Sequence, residues 1–129
     1  MGFSAYATVN VNYAGNALVE FDGVHTNLGG HYDNATSFTC PVNGTYFFTV
    51  SVMSDLSDTV RVAIELDNVS LATAWADNVG SHYPVATNSA LVRCNEGQKV
   101  SVRCTVSGDV YGSRAEQFST FSGFLVAEI

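Results

Sequence analysis

Three segments of this 129-residue chain, 54–59, 77–84 and 107–117, are rich in side chains that could bind a small polar ligand. Carboxylates, an amide and a guanidinium can hydrogen-bond the hydroxyl groups of a sugar, and phenol rings can cover the C–H face of its ring. This combination is typical of a saccharide site. The candidate ligand-binding residues are Asp77, Asn78, His82, Tyr83, Asp109, Tyr111 and Arg114.

Each candidate also has a plainer interpretation. Polar loop residues are often solvated side chains that bind nothing, and this alternative stays open for the whole set. Arg114 could bind the carboxylate of an acidic sugar, but we favour a simple ion pair with Glu116.

Asp55 and Asp58 lie in an acidic turn and could share a metal ion, for which calcium is the candidate. Calcium takes roughly six to eight oxygen ligands, and two aspartates do not supply that set. Solvated turn acids are therefore the favoured interpretation, and Asp55 and Asp58 are weak candidates for metal ligands. Beyond this candidate calcium ion the sequence predicts no cofactor.

Catalytic motifs are absent from the sequence. There is no HExxH, CxxC or GxSxG pattern and no glycine-rich phosphate loop, and His25, His31 and His82 are far apart. An enzyme needs a nucleophile, a base and an orienting group in contact, and no such set is visible. We predict a protein that is not an enzyme.

Charge and length restrict the partners. One lysine and four arginines stand against twelve acids, and the resulting net charge of −7 argues against nucleic acid and anionic lipid as partners. No apolar run approaches the roughly 18 residues of a membrane span, so no membrane insertion is expected. The length fits a single domain over residues 1–129. We interpret its start as that of a mature domain without its export signal, and we predict a secreted, extracellular protein.

The three cysteines, Cys40, Cys94 and Cys104, show no metal-binding spacing. If Cys94 faces Lys99 across the turn at 95–98, Cys104 lies roughly 16 Å further along the partner strand. A disulfide needs Cα atoms about 5.5 Å apart, so this pair should not bridge. Buried free thiols are the favoured interpretation, and a bridge from Cys40 to one of the others is the alternative.

The elements that position the loops are predicted by alternation of apolar and polar residues. Between residues 46 and 52, Tyr46, Phe48, Val50 and Val52 share one face, which indicates a strand with one side in a core. No segment sustains a helical period, and eight to ten short strands in this length predict a sandwich or barrel. The predicted strands cover residues 5–11, 46–52, 60–66, 71–76, 85–93, 99–106 and 118–126, with 22–37 the least regular region.

Antiparallel connectivity predicts where the loops lie. If each late strand reverses direction, alternate loops share one end of the sandwich. The segments 54–59, 77–84 and 107–117 then cluster at an apex. The turns at 67–70 and 95–98 lie at the opposite end with both termini.

The sequence resembles a known family at the strand that follows Gly44. The family pattern is matched here by Phe21, Asn27, Tyr32, Phe38, Gly44, Tyr46 and Phe48, and the stretch Phe-Ser-Gly-Phe-Leu at 121–125 is a second hallmark. This pattern is similar to the globular head domain of complement component 1q, in the tumour-necrosis-factor-like jelly-roll superfamily, over essentially the whole chain. The Tyr32–Phe38 interval is one residue shorter than usual, and Val50 replaces a preferred aromatic.

The resemblance implies an all-β jelly-roll β-sandwich of about ten antiparallel strands, assembled as a compact trimer with the termini at its base. It assigns Phe47, on the second face of its strand, to a buried surface between subunits. No Gly-X-Y triplet occurs, so we interpret the chain as a single globular head without a collagen-like stalk.

Function is less determined, because heads of this family bind different things. Head-only members often act as secreted pattern-recognition proteins. With the loop chemistry, this favours a carbohydrate-binding lectin of innate immunity that binds glycans or other surface ligands, with a trimer compensating for weak single sites. The alternative is a protein-binding ligand or trimerisation domain, signalling or structural, with no sugar site.

Overall fold

The computed structural model describes residues 1–55, 58–77 and 82–129, and this part of the chain consists of strands, turns and loops without a helix. The strands are β1 (Gly2–Tyr6), β2 (Val11–Tyr13), β3 (Gly23–Leu28), β4 (Tyr32–Asp33), β5 (Ser37–Thr39), β6 (Gly44–Met53), β7 (Val60–Leu66), β8 (Val69–Ala76), β9 (Val85–Cys94), β10 (Lys99–Cys104), β11 (Gly108–Val110) and β12 (Thr120–Glu128).

Two five-stranded sheets enclose the core. The first sheet has the order β3-β1-β12-β6-β9 and the second sheet has the order β4-β5-β10-β7-β8, while β2 and β11 pair separately. All strand pairs in the described residues are antiparallel. This arrangement is a jelly-roll sandwich, so the predicted all-β fold class with about ten strands in two sheets is confirmed.

The alternation in β6 produces the core directly. Tyr46 and Phe48 are fully buried, whereas Phe47 between them is half-buried on the opposite face. Side chains alternate across a strand, so a two-residue apolar period delivers one continuous face to the interior. The strands predicted at 46–52 and 60–66 are confirmed.

Several predicted boundaries are wrong. The strand predicted at 5–11 ends at Tyr6, because the chain then leaves the ladder and Ala7 N donates to Ser119 O at 2.9 Å. The region 22–37, predicted to be irregular, contains β3 and β4. β3 is an edge strand with mostly exposed side chains, so its own pattern carries no alternation.

The residues that carry the family resemblance hold the core together. The ring of Tyr32 stacks on Phe3 with centroids 4.7 Å apart, and its hydroxyl donates to Phe21 O at 2.8 Å. The Asn27 side chain closes the turn between β3 and β4, since Oδ1 accepts from Tyr32 N and Nδ2 donates to Tyr32 O, both at 3.0 Å. These contacts are structural, so the pattern identifies a fold and not a ligand.

Gly123 is required by the packing of two aromatic rings. A Cβ at this position would overlap the ring of Phe48 and lie 3.0 Å from Cε1 of Phe3. Both rings are buried, so neither can move aside without opening the core. This packing explains the glycine in the Phe-Ser-Gly-Phe-Leu stretch.

All three cysteines are free and buried, which confirms the favoured interpretation and the absence of a Cys94–Cys104 bridge. Cys40 and Cys94 lie close enough for their thiols to interact. Burial raises the pKa of Cys104 to about 11, and it also raises the pKa values of Cys40 and Cys94. The thiols are therefore neutral, small apolar groups of the core.

The outward face of the first sheet is nearly free of charge. Phe124, Phe47 and Leu91 are aligned on neighbouring strands, and we call these three residues the apolar row. The rings of Phe124 and Phe47 are 5.8 Å apart, and Phe124 and Leu91 are more than half exposed. The adjacent rows consist mainly of serine and threonine. Among the outward-facing residues of β1, β12, β6 and β9, Arg93 alone is charged.

The outward face of the second sheet carries charges instead. Glu65 on β7 and Arg103 on β10 form an ion pair with Nε and Oε1 2.8 Å apart, and Arg61 and Lys99 lie on the same face. The side chains of Glu65 and Arg103 are 10% and 25% exposed, respectively. The two sheets therefore bury similar apolar faces but present different surfaces.

Candidate functional site

The three long loops meet at one end of the sandwich. Ser54 N donates to Pro84 O at 2.9 Å, Tyr111 N donates to Met53 O at 2.7 Å, and Asp109 N donates to Oδ2 of Asp58 at 3.1 Å. These bonds join segments 54–59, 77–84 and 107–117, which we call the apical loops. Their predicted clustering is confirmed.

Both termini lie at the other end. Leu125 N donates to Met1 O and Ile129 N donates to Asn43 O, at 2.9 and 3.0 Å. Oδ1 of Asn43 in turn accepts from Glu96 N in the β9–β10 turn at 2.7 Å. The termini and the turns are therefore remote from the apical loops, as the alternation of strand direction predicts.

Two candidate residues form an aromatic cluster at the apex. The rings of Tyr83 and Tyr111 meet edge to face with centroids 5.5 Å apart, and Tyr111 packs in the same manner on Phe118 at 5.3 Å. Tyr111 is half-buried and its carbonyl accepts from Ser119 Oγ at 2.7 Å, while Tyr83 is 46% exposed. The packed ring of Tyr111 thus supports the ring of Tyr83, which is exposed to solvent.

The candidate carboxylates are braced by neighbouring loops. Asp109 lies on β11 opposite Asn12 on β2, and Oδ1 of Asp109 accepts from Nδ2 of Asn12 at 2.6 Å. Oδ1 of Asp77 accepts from Thr59 Oγ1 at 3.3 Å. The apex therefore presents anionic oxygens in fixed positions next to the tyrosine cluster.

The remaining candidates divide into three cases. His82 is exposed, and Asn78 lies outside the described residues. The predicted ion pair between Arg114 and Glu116 is wrong, because the salt bridge formed within the described residues joins Arg103 to Glu65. The charge of Arg114 acts on Asp22 instead.

The pKa of Asp22 is set by its hydrogen bonds to Thr8 and by the charge of Arg114. Its Oδ1 accepts from Thr8 N at 3.1 Å and its Oδ2 accepts from Thr8 Oγ1 at 2.7 Å. Burial acts to raise the pKa of Asp22, but these hydrogen bonds and the Arg114 charge outweigh it, so the pKa is lowered. Arg114 is therefore near enough for its charge to favour the ionised form of Asp22.

The candidate metal ligands Asp55 and Asp58 share a hydrogen-bonded turn, in which Asp58 N donates to Asp55 O at 3.2 Å. The Asp58 carboxylate accepts from Thr59 N through Oδ1 and from Asp109 N through Oδ2. No group of three or more His, Cys, Asp or Glu side chains in the described ranges is placed to hold a metal ion. The geometry assigns Asp58 a loop-bracing contact.

Two residues at the apex were missed by the sequence interpretation. Asn12 belongs to a three-residue strand that pairs with β11, and Phe118 supports Tyr111. A strand of three residues is too short to show a period, so Asn12 had no detectable signal. Phe118, in contrast, is a large apolar residue at the end of a polar loop, which was a usable sign of packing.

The fold and the loop-bearing apex define a jelly-roll recognition scaffold. The globular domain of zebrafish complement 1qA protein aligns with a TM-score of 0.83 and 20% identity, covering 99% of this chain and 98% of that one. Eiger TNF from S. frugiperda aligns with a TM-score of 0.84 and 13% identity, covering 100% and 94%. At these identities the likeness concerns the fold alone. The C1q domain profile matches residues 2–126, so the chain belongs to the C1q domain family.

Named relatives share part of their length with this chain. Caprin-2 of Danio rerio is 34% identical over 132 residues, covering 98% of this chain and 14% of Caprin-2. A human complement C1q subcomponent is 28% identical over 98% of this chain and 50% of its own length. A mouse complement C1q subcomponent is 32% identical over 86% of this chain and 44% of its own length. The chain therefore spans half or less of the curated relatives that it matches.

The C1q domain is a recognition and trimerising module of innate immunity proteins, and family members are non-enzymatic binding modules. The described residues contain no helix long and apolar enough to cross a membrane.

Proposed function

We propose that this chain is a secreted recognition module that binds carbohydrate through its apical loops and acts as a trimer. The observation that carries the proposal is the tyrosine cluster, in which half-exposed Tyr83 rests on the braced Tyr111 beside the Asp109–Asn12 pair. An aromatic face next to fixed polar groups matches the two sides of a sugar ring.

Hydrogen-bonding capacity at the apex supports the same ligand class. Oδ1 of Asp109 is taken by Asn12, but Oδ2 accepts nothing from the described residues. Oδ1 of Asn12 and the exposed imidazole of His82 add further polar groups. Asp77, Asn78 and Arg114 complete the proposed set. Sugar hydroxyls both donate and accept, so a mixed set of this kind suits them better than it suits an apolar ligand.

Assembly as a trimer would use the outward face of the first sheet. The apolar row on that face has Phe124 and Leu91 more than half exposed, and the neighbouring row that contains Thr49 consists of uncharged serine and threonine side chains. An exposed apolar patch on a soluble protein marks a contact surface. Three apical sites on one particle would raise the effective affinity for a dense glycan surface above that of one weak site.

The test is a glycan array probed with purified protein whose oligomeric state has been fixed by light scattering. We expect binding to a defined glycan class that free sugar inhibits. Runs with calcium and with a chelator decide whether Asp55 and Asp58 take part through a metal ion. Replacement Tyr83→Ala should weaken binding about tenfold, because it removes the stacking face.

Val69→Ala is the matched control, since Val69 is equally an exposed apolar residue but begins β8 beside the turn that follows β7, at the opposite end. It should leave glycan binding unchanged. A blank array from a folded trimer would overturn the carbohydrate proposal. In that case saturable binding to one receptor protein, without sugar inhibition, would identify the protein-ligand alternative.

A further inference from the structure

A polar groove lies on the outward face of the second sheet, at the end away from the apical loops. Its cavity is about 340 Å³ and is bordered by the turn after β7, by β10 and by the segment that leads into β5. This volume falls at the lower end of the range for small-molecule sites. The groove is therefore a concave site that is separate from the apical loops.

Arg103 forms a rigid wall of the groove. Its Nε donates to Glu65 Oε1 at 2.8 Å, Nη1 donates to Asn16 O at 2.6 Å, and Nη2 donates to Oδ1 of Asn68 at 3.0 Å. Three of the five guanidinium N–H groups are committed, which leaves two for a ligand. The charge of Arg103 is offset by Glu65.

Asn68 is fixed by the same contact. Its oxygen already accepts from Arg103, and its Nδ2 N–H groups are the donors that it can offer to the groove. Its backbone is also held in the left-handed region, with φ 69°, in the tight turn that it forms with Asp67. Both the position and the polarity of this amide are therefore set before any ligand arrives.

Lys99 supplies the groove with a positive charge that no salt bridge within the described residues offsets. Those residues form one ion pair, Arg103–Glu65, and Lys99 is outside it. On the neighbouring strands, Ser37 and Ser101 are directly opposite each other in the ladder of β5 and β10 and line the same cavity. The N–H groups of Lys99, Arg103 and Asn68 favour an anion, and the two serine hydroxyls can hydrogen-bond hydroxyl groups of the same ligand.

Asp67 restricts how much negative charge the groove accepts. Its Oδ1 accepts from Lys99 N at 2.9 Å and its Oδ2 accepts from Gln98 Nε2 at 3.1 Å, which fixes this carboxylate at the rim of the groove. A doubly charged phosphate or sulfate would be repelled by this carboxylate more than a singly charged group. Asp67 can instead accept a hydrogen bond from a sugar hydroxyl.

From this geometry we infer that the groove binds a carboxylate-bearing sugar residue. The sugar carboxylate meets Lys99 and the free N–H groups of Arg103 and Asn68, and its hydroxyl groups meet Ser37 and Ser101. Leu18, which also lines the cavity, supplies the apolar contact for the ring. The site is independent of the apical loops and does not rest on the function proposed for them.

The experiment is an NMR titration of the full chain, labelled with nitrogen-15, with N-acetylneuraminic acid and with glucuronic acid. We expect saturable shifts of the amide signals of Asn68, Lys99 and Ser101 with at least one of these acids. Glucose, acetate and inorganic phosphate, titrated separately, should bind at least about tenfold more weakly. Glucose has no negative charge, acetate has no sugar ring, and phosphate carries more than a single negative charge.

Four variants locate the binding. Lys99→Gln should weaken it about tenfold or more, whereas Lys99→Arg should change it by less than about threefold because the charge is kept. Arg61→Gln is the matched control, since it removes one cation from the same sheet face outside the cavity. Tyr83→Ala should leave this binding intact, so failure at the apex and failure at the groove can be told apart.

Four results would overturn the inference. They are the absence of shifts at the groove, equal binding of acetate or phosphate (an adventitious ion only), equal binding of glucose, and an unaltered response in a folded Lys99→Gln variant.

Discussion

The outward face of the first sheet and the outward face of the second sheet are produced by the same two-residue alternation, yet they carry different side chains. Phe124, Phe47 and Leu91 cross the first sheet among serines and threonines. The second sheet carries Glu65 and Arg103, which are ion-paired across neighbouring strands. Although the net charge of the protein is −7, the outward face of the first sheet carries almost no charged side chains.

This difference separates two uses of a sheet surface. An uncharged face loses little by leaving water, because no ion has to be desolvated. A charged face is costly to remove from water, and its charges can bind small ligands of complementary charge. In the trimer that we propose, the first sheet packs against copies of the chain, and the second sheet stays in solvent, where its groove is open to a ligand.

The largest expected effect comes from placing a charge in the apolar row. Phe47→Asp should dissociate the proposed trimer at micromolar concentration, since three unpaired carboxylates would be buried near one another. Size-exclusion chromatography with light scattering measures the change. Circular dichroism should remain that of a folded β protein, because Phe47 lies outside the core.

Thr39→Asp provides the comparison, as it introduces the same carboxylate on the outward face of β5, opposite Lys99. This variant should keep the oligomeric state of the parent protein. If Phe47→Asp also keeps it, the first sheet is not the assembly surface.

A smaller effect is expected on the second sheet, where Glu65→Ala removes the partner of Arg103. The pair is mostly buried, so its loss should lower the free energy of unfolding by about 2 kcal/mol. Equilibrium denaturation measures this value. Glu116→Ala, at an exposed loop acid, should change stability by less than about 0.5 kcal/mol. Equal losses in the two variants would show that the pair contributes nothing specific.

The smallest expected effect is on the stability of the fold at acidic pH, through Asp22. The pKa of Asp22 is lowered in the folded chain, so its contribution to stability is present above its unfolded pKa and is lost as pH falls through the folded value. Asp22→Asn should therefore be less stable than the parent at neutral pH, and the difference should shrink below about pH 4.

Thermal unfolding between neutral and acidic pH measures this prediction. A difference between the parent and Asp22→Asn that stays constant across the range would contradict it. The apolar row contains no group that titrates, so its packing should not contribute to the same acid response.

The long strands were predictable because burial of one face imposes a period that the sequence must carry. β6 and β7 were located for this reason, and the apex followed from the reversal of successive strands. β3 was not predicted, since its ladder bonds come from β1 and its side chains remain mostly exposed.

The candidate site was predictable in part. The meeting of Tyr83 with Tyr111 follows from the clustering of loops, but the Asn12–Asp109 contact joins residues on two three-residue strands that show no period. The groove was beyond sequence reasoning for a similar reason. Arg103 is positioned by Glu65, Asn68 and Asn16, which are distant from it in the chain.

The position of the chain ends has a practical consequence for attachment. Met1 and Ile129 both lie at the end of the sandwich opposite the apical loops. A tether fused to either terminus, or a sensor surface coupled through it, therefore leaves the tyrosine cluster pointing into free solution. In a symmetric trimer the three tethers would leave from the same end of the assembly, and the three sets of apical loops would face the same direction.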